Sequence, residues 1–111
     1  STTLFLNSPD RYAGGELVIR TSFGEQAIKL AAGDAVIYPS SSLHRITEVT
    51  SGERLVAVTW AQSMLRDPQQ RELLYQLYQV REKLAQDQPG TGETIAVDHV
   101  YVNLVRMWAE V

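Results

Sequence analysis

The sequence predicts a mainly β domain, a sandwich or barrel, with two α-helices after the strands. Six short strand patterns recur at spacings near ten residues over the first 62 residues, each closed by a turn signal. From about Arg66 the texture changes to apolar residues at helical spacing. Strands first and helices after fit a single domain with its helices gathered at one side.

The first strand is Thr2 to Asn7, closed by Ser8-Pro9-Asp10 and followed by Gly14-Gly15. For this glycine pair a simple turn is favoured over a bulge or a close backbone approach. Glu16 to Arg20 is the second strand, built on Leu17-Val18-Ile19, and Ser22-Phe23-Gly24 turns. Glu25 to Leu30 is the third, Ala31-Ala32-Gly33-Asp34 turns, and Ala35 to Tyr38 is the fourth. Pro39 and Ser40-Ser41-Ser42 break it. Leu43 to Val49 is the fifth strand, Thr50-Ser51-Gly52-Glu53 turns, and Arg54 to Gln62 is the sixth. Asp67 then reads as a helix N-cap with Pro68 at the first helical position. Leu73, Leu74, Leu77, Tyr78 and Leu84 set an amphipathic helix from Pro68 to about Gln86, its stripe suited to packing on the strands or to a dimer surface. Asp87 to Gly92 is a loop, and a second helix runs from about Glu93 to Ala109 with Ile95, Val100, Leu104 and Trp108 on one face.

Composition narrows the function. The chain has 111 residues, 44% hydrophobic and 21% charged, which suits one globular domain. Ten Lys and Arg against 13 Asp and Glu give a net charge of −3, which argues against a nucleic-acid binder with a basic stripe. There is no cysteine, so disulfides, Cys-ligated zinc and Cys nucleophiles are excluded. No apolar run approaches the roughly 20 residues of a membrane span. The expected setting is cytoplasmic, with neither nucleic acid nor membrane as partner.

Two histidines are present. His99 lies in the second helical pattern beside Asp98 and reads as structural. His44 stands at the mouth of a strand, after Tyr38-Pro39-Ser40-Ser41-Ser42-Leu43, and Arg54 lies at the start of the next strand. In a jelly roll consecutive strands lie in facing sheets, so both can point into one cavity mouth. A neutral imidazole is a metal ligand. A buried guanidinium needs an anion, because an unpaired buried charge costs several kcal/mol. Arg54 therefore calls for a carboxylate or phosphate held bidentately, or for an internal pair with Glu16 or Glu48. Tyr38 reads as core, and Trp60, on the strand face of Arg54, as a packed aromatic.

The segments Tyr12-Ala13-Gly14-Gly15-Glu16-Leu17, Ala32 to Ile46 with its Tyr-Pro-Ser-Ser-Ser-Leu-His run, Val49 to Arg54 and Trp60 to Asp67 together resemble the bacterial PKHD-type hydroxylases. These are prolyl 4-hydroxylase relatives within the iron(II) and 2-oxoglutarate dependent dioxygenases. The resemblance covers essentially the whole chain. It implies a double-stranded β-helix (jelly roll) over residues 1–65, whose first strands are missing, and a C-terminal helical extension over 66–111 packing on the barrel. It implies that His44 is a metal ligand, that Arg54 holds the far carboxylate of 2-oxoglutarate, and that Ser40, Ser41 and Ser42 form a loop beside the metal. The implied cofactors are Fe(2+), 2-oxoglutarate as co-substrate and L-ascorbate. The substrate to be hydroxylated, a small molecule or peptide, is not specified.

One departure matters. Such iron sites use two histidines and one carboxylate, and the family draws the other two ligands from a His-x-Asp motif. No His-x-Asp or His-x-Glu occurs in this chain, so the motif is expected before Ser1, in keeping with a chain that opens directly in a strand pattern. With one ligand, the chain alone is expected to bind iron weakly and not to turn over 2-oxoglutarate. The strands carrying His44 and Arg54 are expected to leave unpaired edges, met by the missing segment or by a second copy. The competing expectation is a non-catalytic cupin-like domain that binds a small anion or serves interaction, with His44 structural.

Overall fold

The computed structural model describes all 111 residues, which divide into two compact units, Ser1–Ala61 and Gln62–Val111. The first unit holds eight strands: β1 (Thr2–Phe5), β2 (Tyr12–Gly14), β3 (Leu17–Thr21), β4 (Gly24–Ile28), β5 (Ala35–Ile37), β6 (His44–Ile46), β7 (Val49–Gly52) and β8 (Val56–Thr59). The second holds two helices, α1 (Pro68–Asp87) and α2 (Gly92–Trp108).

The strands form three antiparallel sheets, ordered β5-β1-β8, β2-β7 and β4-β3-β6. From β4 onward the chain moves to a different sheet at each strand, a jelly-roll-like pattern. The core is small and lies on β1, β2 and β3: Phe5, Tyr12, Leu17, Val18 and Ile19 are buried, and Phe5 is fully so. β6 and β8 each lie at the edge of their sheet.

Two strands, β2 and β7, stand where turns were expected. Their residues are mostly Gly, Ser, Thr and Ala, and only their mutual pairing makes them strands. The fifth expected strand is divided for a related reason. Beyond Ile46, the Thr47 N–H donates to the Glu16 carbonyl and the Thr47 hydroxyl accepts from the Glu16 N–H. The Glu48 carbonyl then accepts from Gly15. The chain thus steps from the flank of β3 to the flank of β2 before β7 begins. The Gly14-Gly15 pair is accordingly a bulge and close approach rather than a simple turn: the register shifts between Ala13 and Gly14. A Cβ on Gly14 would overlap the Glu48 carbonyl oxygen.

In the second unit Asp67 caps α1, its Oδ1 accepting from the Gln69 N–H at 2.8 Å with Pro68 behind it. Thr91 caps α2 through its hydroxyl and the Thr94 N–H. Arg81 of α1 bonds Asp98 of α2 at 2.6 Å, and Tyr78 and Tyr101 bring their rings within 6.1 Å. Leu74 is the buried residue of this unit. The expected α2 face holds at Leu104 and Trp108 but not at Ile95 and Val100, which are exposed. The half-buried face is Val97, Tyr101, Leu104 and Trp108, which fall within one narrow stripe at 100° per residue.

Candidate functional site

His44 opens β6 and pairs with Ile19 of β3, two residues from the Leu17–Ile46 pair. Its ring therefore stands on the face that carries Leu17 and Ile19. The ring is exposed, and Tyr38 meets it edge-on with centroids 5.1 Å apart. Tyr38 is half-buried and serves this contact rather than the core. The His44 Nδ1 lies 2.7 Å from the Ser42 carbonyl. A carbonyl can only accept, so Nδ1 carries the hydrogen and the neutral ring keeps its lone pair on Nε2. That fixed tautomer is the arrangement in which a histidine is ready to bind a metal through Nε2.

An open groove of about 620 Å³ is lined from β3, β4 and β5 and the segment after β5. Tyr38 and Ser42 belong to its wall and also touch His44. Neither His44 nor Arg54 forms part of that wall, so the expected shared cavity mouth is not this groove.

Arg54 lies two residues before β8, not within the strand, and is half-buried. Its guanidinium carbon is 5.8 Å from the centroid of the fully buried Phe5 ring. The expected internal partners are absent. The chain has four ion pairs, Arg45–Glu25, Arg66–Glu110, Arg81–Asp98 and Lys83–Asp87, and Arg54 is in none of them. Its Nε is buried with no hydrogen-bond partner. An unsatisfied buried donor on a charged group is costly, and an anionic acceptor relieves that cost.

The surroundings of Arg54 include groups not singled out from the sequence. Tyr12 is 5% exposed, and its hydroxyl is the chain's other buried side-chain polar atom without a partner. Lys29 donates to the Tyr12 carbonyl at 2.8 Å, with its Nζ 4.2 Å from the Tyr12 ring centroid. Lys29, like Arg54, is in none of the ion pairs. Gly15 separates Tyr12 from Arg54: a Cβ built on it would stand 3.1 Å from both the Tyr12 Cε2 and the Arg54 Cδ. Tyr12, two residues before a glycine pair, was the one available signal for this cluster.

The remaining expected features fall away from these groups. His99 is hydrogen-bonded within α2, the Asn103 amide donating to its Nε2 and to its carbonyl. Trp60 is 73% exposed rather than packed, because it follows β8 at the edge of its sheet. No three His, Asp or Glu side chains gather where they could hold a metal ion. The residues of this chain do not by themselves fit an iron site of two histidines and a carboxylate. The unpartnered Arg54 does fit a carboxylate. No helix is long and apolar enough to cross a membrane.

Comparison with known proteins places these residues in context. The family model of the 2OG-Fe(II) oxygenase superfamily matches residues 1–62, and that of the PKHD-type hydroxylase C-terminal domain matches 68–110. A PKHD-type hydroxylase of Shewanella sp. strain MR-4 is 54% identical over 110 residues, 99% of this chain and 49% of the relative. One of Xanthomonas axonopodis pv. citri strain 306 is 53% identical over 111 residues, 100% of this chain and 49% of the relative. One of Synechococcus sp. strain JA-2-3B'a(2-13) is 51% identical over 110 residues, with 99% and 49% covered. The chain spans about half the length of these curated relatives.

Proposed function

The chain belongs to the PKHD-type hydroxylases of the 2OG-Fe(II) oxygenase superfamily, and from that premise we propose that it supplies the 2-oxoglutarate clamp and one metal ligand of an iron(II)-dependent hydroxylase. Arg54 is the clamp. The observation that carries this reading is its buried Nε without a partner, on a guanidinium that no carboxylate of the chain neutralises. The far carboxylate of 2-oxoglutarate is an acceptor of the right charge and shape. His44 is the metal ligand, its Nε2 made available by the bond from Nδ1 to Ser42. The other ligands come, in this reading, from residues beyond these 111. When bound, iron and 2-oxoglutarate supply the oxidising chemistry with O2. What this chain's residues do is orient the co-substrate at one end and the imidazole at the other.

The test uses the whole protein with iron, O2 and 2-oxoglutarate. Arg54→Ala should raise the 2-oxoglutarate concentration needed for half-maximal turnover at least thirtyfold, since losing a buried charged contact costs roughly 2–5 kcal/mol. Arg54→Lys restores charge without the planar fork and should recover only part of it. An Arg54→Ala protein with unchanged 2-oxoglutarate dependence removes Arg54 from the site. A whole protein that binds small carboxylates but never consumes 2-oxoglutarate supports the anion-binding reading instead.

A further inference from the structure

We propose that the α1–α2 hairpin is half of a four-helix bundle, and that a second copy of this chain completes it with its own hairpin. Leu84, Arg81 and Tyr78 of α1 meet Thr94, Asp98 and Tyr101 of α2 in that order, so the helices run antiparallel. Leu73 and Val80 each precede an α1 residue turned inward, the buried Leu74 and Arg81, which bonds Asp98. Val100 and Met107 each precede a residue of the half-buried α2 face, Tyr101 and Trp108. One residue is about 100° of rotation, and antiparallel helices are related by a half-turn about the normal to their common plane. Leu73, Val80, Val100 and Met107 therefore leave the same side of the hairpin, and all four are exposed.

The spacing asks for more helices. On α1, Leu73, Leu77, Val80 and Leu84 recur at steps of four, three and four; on α2, Val97, Val100, Leu104 and Met107 recur at three, four and three. This is the repeat by which helices seat side chains against helices in bundles. In each seam half-buried and exposed residues alternate: Leu77, Leu84, Val97 and Leu104 are covered within the hairpin, and the other four are not. The charge suits a copy of the same face. Gln69, Gln76 and Asn103 border it, Lys83 is neutralised by Asp87 at 2.9 Å, and Glu93, in the first turn of α2, is the one unpaired charge at its edge. Such a face neither steers in a charged partner nor repels itself across a two-fold axis. The area also suffices. The 20 residues of α1 are about 30 Å long, and two packed helices are about 20 Å across. The face thus spans about 600 Å², and two copies cover about 1,200 Å², the lower bound for a specific interface.

The experiment weighs the whole protein in solution by sedimentation equilibrium at micromolar concentrations and records its melting temperature. The parent should be a dimer. Val80→Glu should raise the dimer dissociation constant by about a hundredfold or more, because the interface then holds two unpaired carboxylates among apolar groups. Met107→Glu, on the other helix, should do the same. Tyr75 follows Leu74 and lines a cleft on the opposite side of the hairpin, so Tyr75→Glu should leave the dimer intact. Diluted until parent and variant are both monomers, Val80→Glu should melt with the parent, since Val80 is exposed in the single chain. A parent that stays monomeric overturns the proposal. So does a dimer that survives either Val80→Glu or Met107→Glu, or one that Tyr75→Glu disrupts equally. A Val80→Glu monomer that melts lower also overturns it, since the face is then covered by the rest of its own chain rather than by a copy.

Discussion

Gly15→Ala places a methyl group where the Tyr12 ring, the Arg54 stem and Val49 converge. Gly15 has φ +66°, and the new Cβ would stand 2.9 Å from Val49 Cγ2 and 3.1 Å from the Arg54 Cδ and the Tyr12 Cε2. Two costs follow. A left-handed conformation disfavours any residue with a Cβ by about 1–2 kcal/mol. Crowding a packed site adds about 1–3 kcal/mol. The expected destabilisation is thus about 3 kcal/mol. The three neighbours do not yield equally. Val49 is β-branched and stiff at χ1, and the Tyr12 ring is buried. The Arg54 stem is the softest of the three, so strain relief displaces the guanidinium and weakens 2-oxoglutarate binding as well. Gly33→Ala is the control, because Gly33 has φ +90° but nothing within 4 Å of its Cβ position. It should show the backbone cost alone, with normal binding. Urea unfolding at constant slope reads the stability of each variant, and calorimetry reads the affinity of the whole protein. If Gly15→Ala matches Gly33→Ala in both, the convergence of Tyr12 and Arg54 on this point is wrong.

Asp67→Ala removes the carboxylate that accepts from Gln69 at 2.8 Å and should cost about 1 kcal/mol, seen as a lower melting temperature, with Asp67→Asn recovering most of it. The bond and charge of Arg45 hold the Glu25 carboxyl below its ordinary range. A depressed folded-state value means the pair stabilises the fold above the unfolded glutamate range, about 4.3, and loses that effect as the pH falls through the lower folded value. Denaturation of the parent and of Glu25→Gln should therefore differ near neutral pH, converge in acid, and converge again in high salt because both side chains are exposed. β6 and β8 are sheet edges, so the 111-residue chain in isolation should associate, and Val58→Lys on β8 should reduce the dimer seen by native mass spectrometry. A stable monomer with fast amide exchange along both strands contradicts that expectation.

The parts legible in the sequence were those fixed by local patterns. Asp67-Pro68 announces α1 because an N-cap and a first-turn proline are local devices. Leu17-Val18-Ile19 announces β3 because an unbroken apolar run buried on both faces has few other uses. β2 and β7 were not legible, since Gly, Ser and Thr mark turns until a distant partner pairs with them. His44 and Arg54 were legible as candidates through their types and the motifs around them. Their surroundings were not. That Arg54 lacks a carboxylate partner, although Glu48 is near in sequence and Glu16 flanks the Thr47 segment, depends on where β2, β7 and β8 deliver their side chains. Tyr12 is not legible for the same reason: an unpartnered hydroxyl is a property of the packed core. Trp60 is exposed because it follows an edge strand, and apolar content does not reveal which strand lies at an edge.

The most direct measurement is a crystal structure of the whole protein with iron replaced by manganese(II) and N-oxalylglycine in place of 2-oxoglutarate. The account predicts that the far carboxylate of this analogue lies on Arg54, with a guanidinium N–H to oxygen distance of about 2.7–2.9 Å, and that His44 ligates the metal through Nε2 while Nδ1 keeps its bond to Ser42. An analogue bound elsewhere, with Arg54 paired to a carboxylate of the protein, would contradict it.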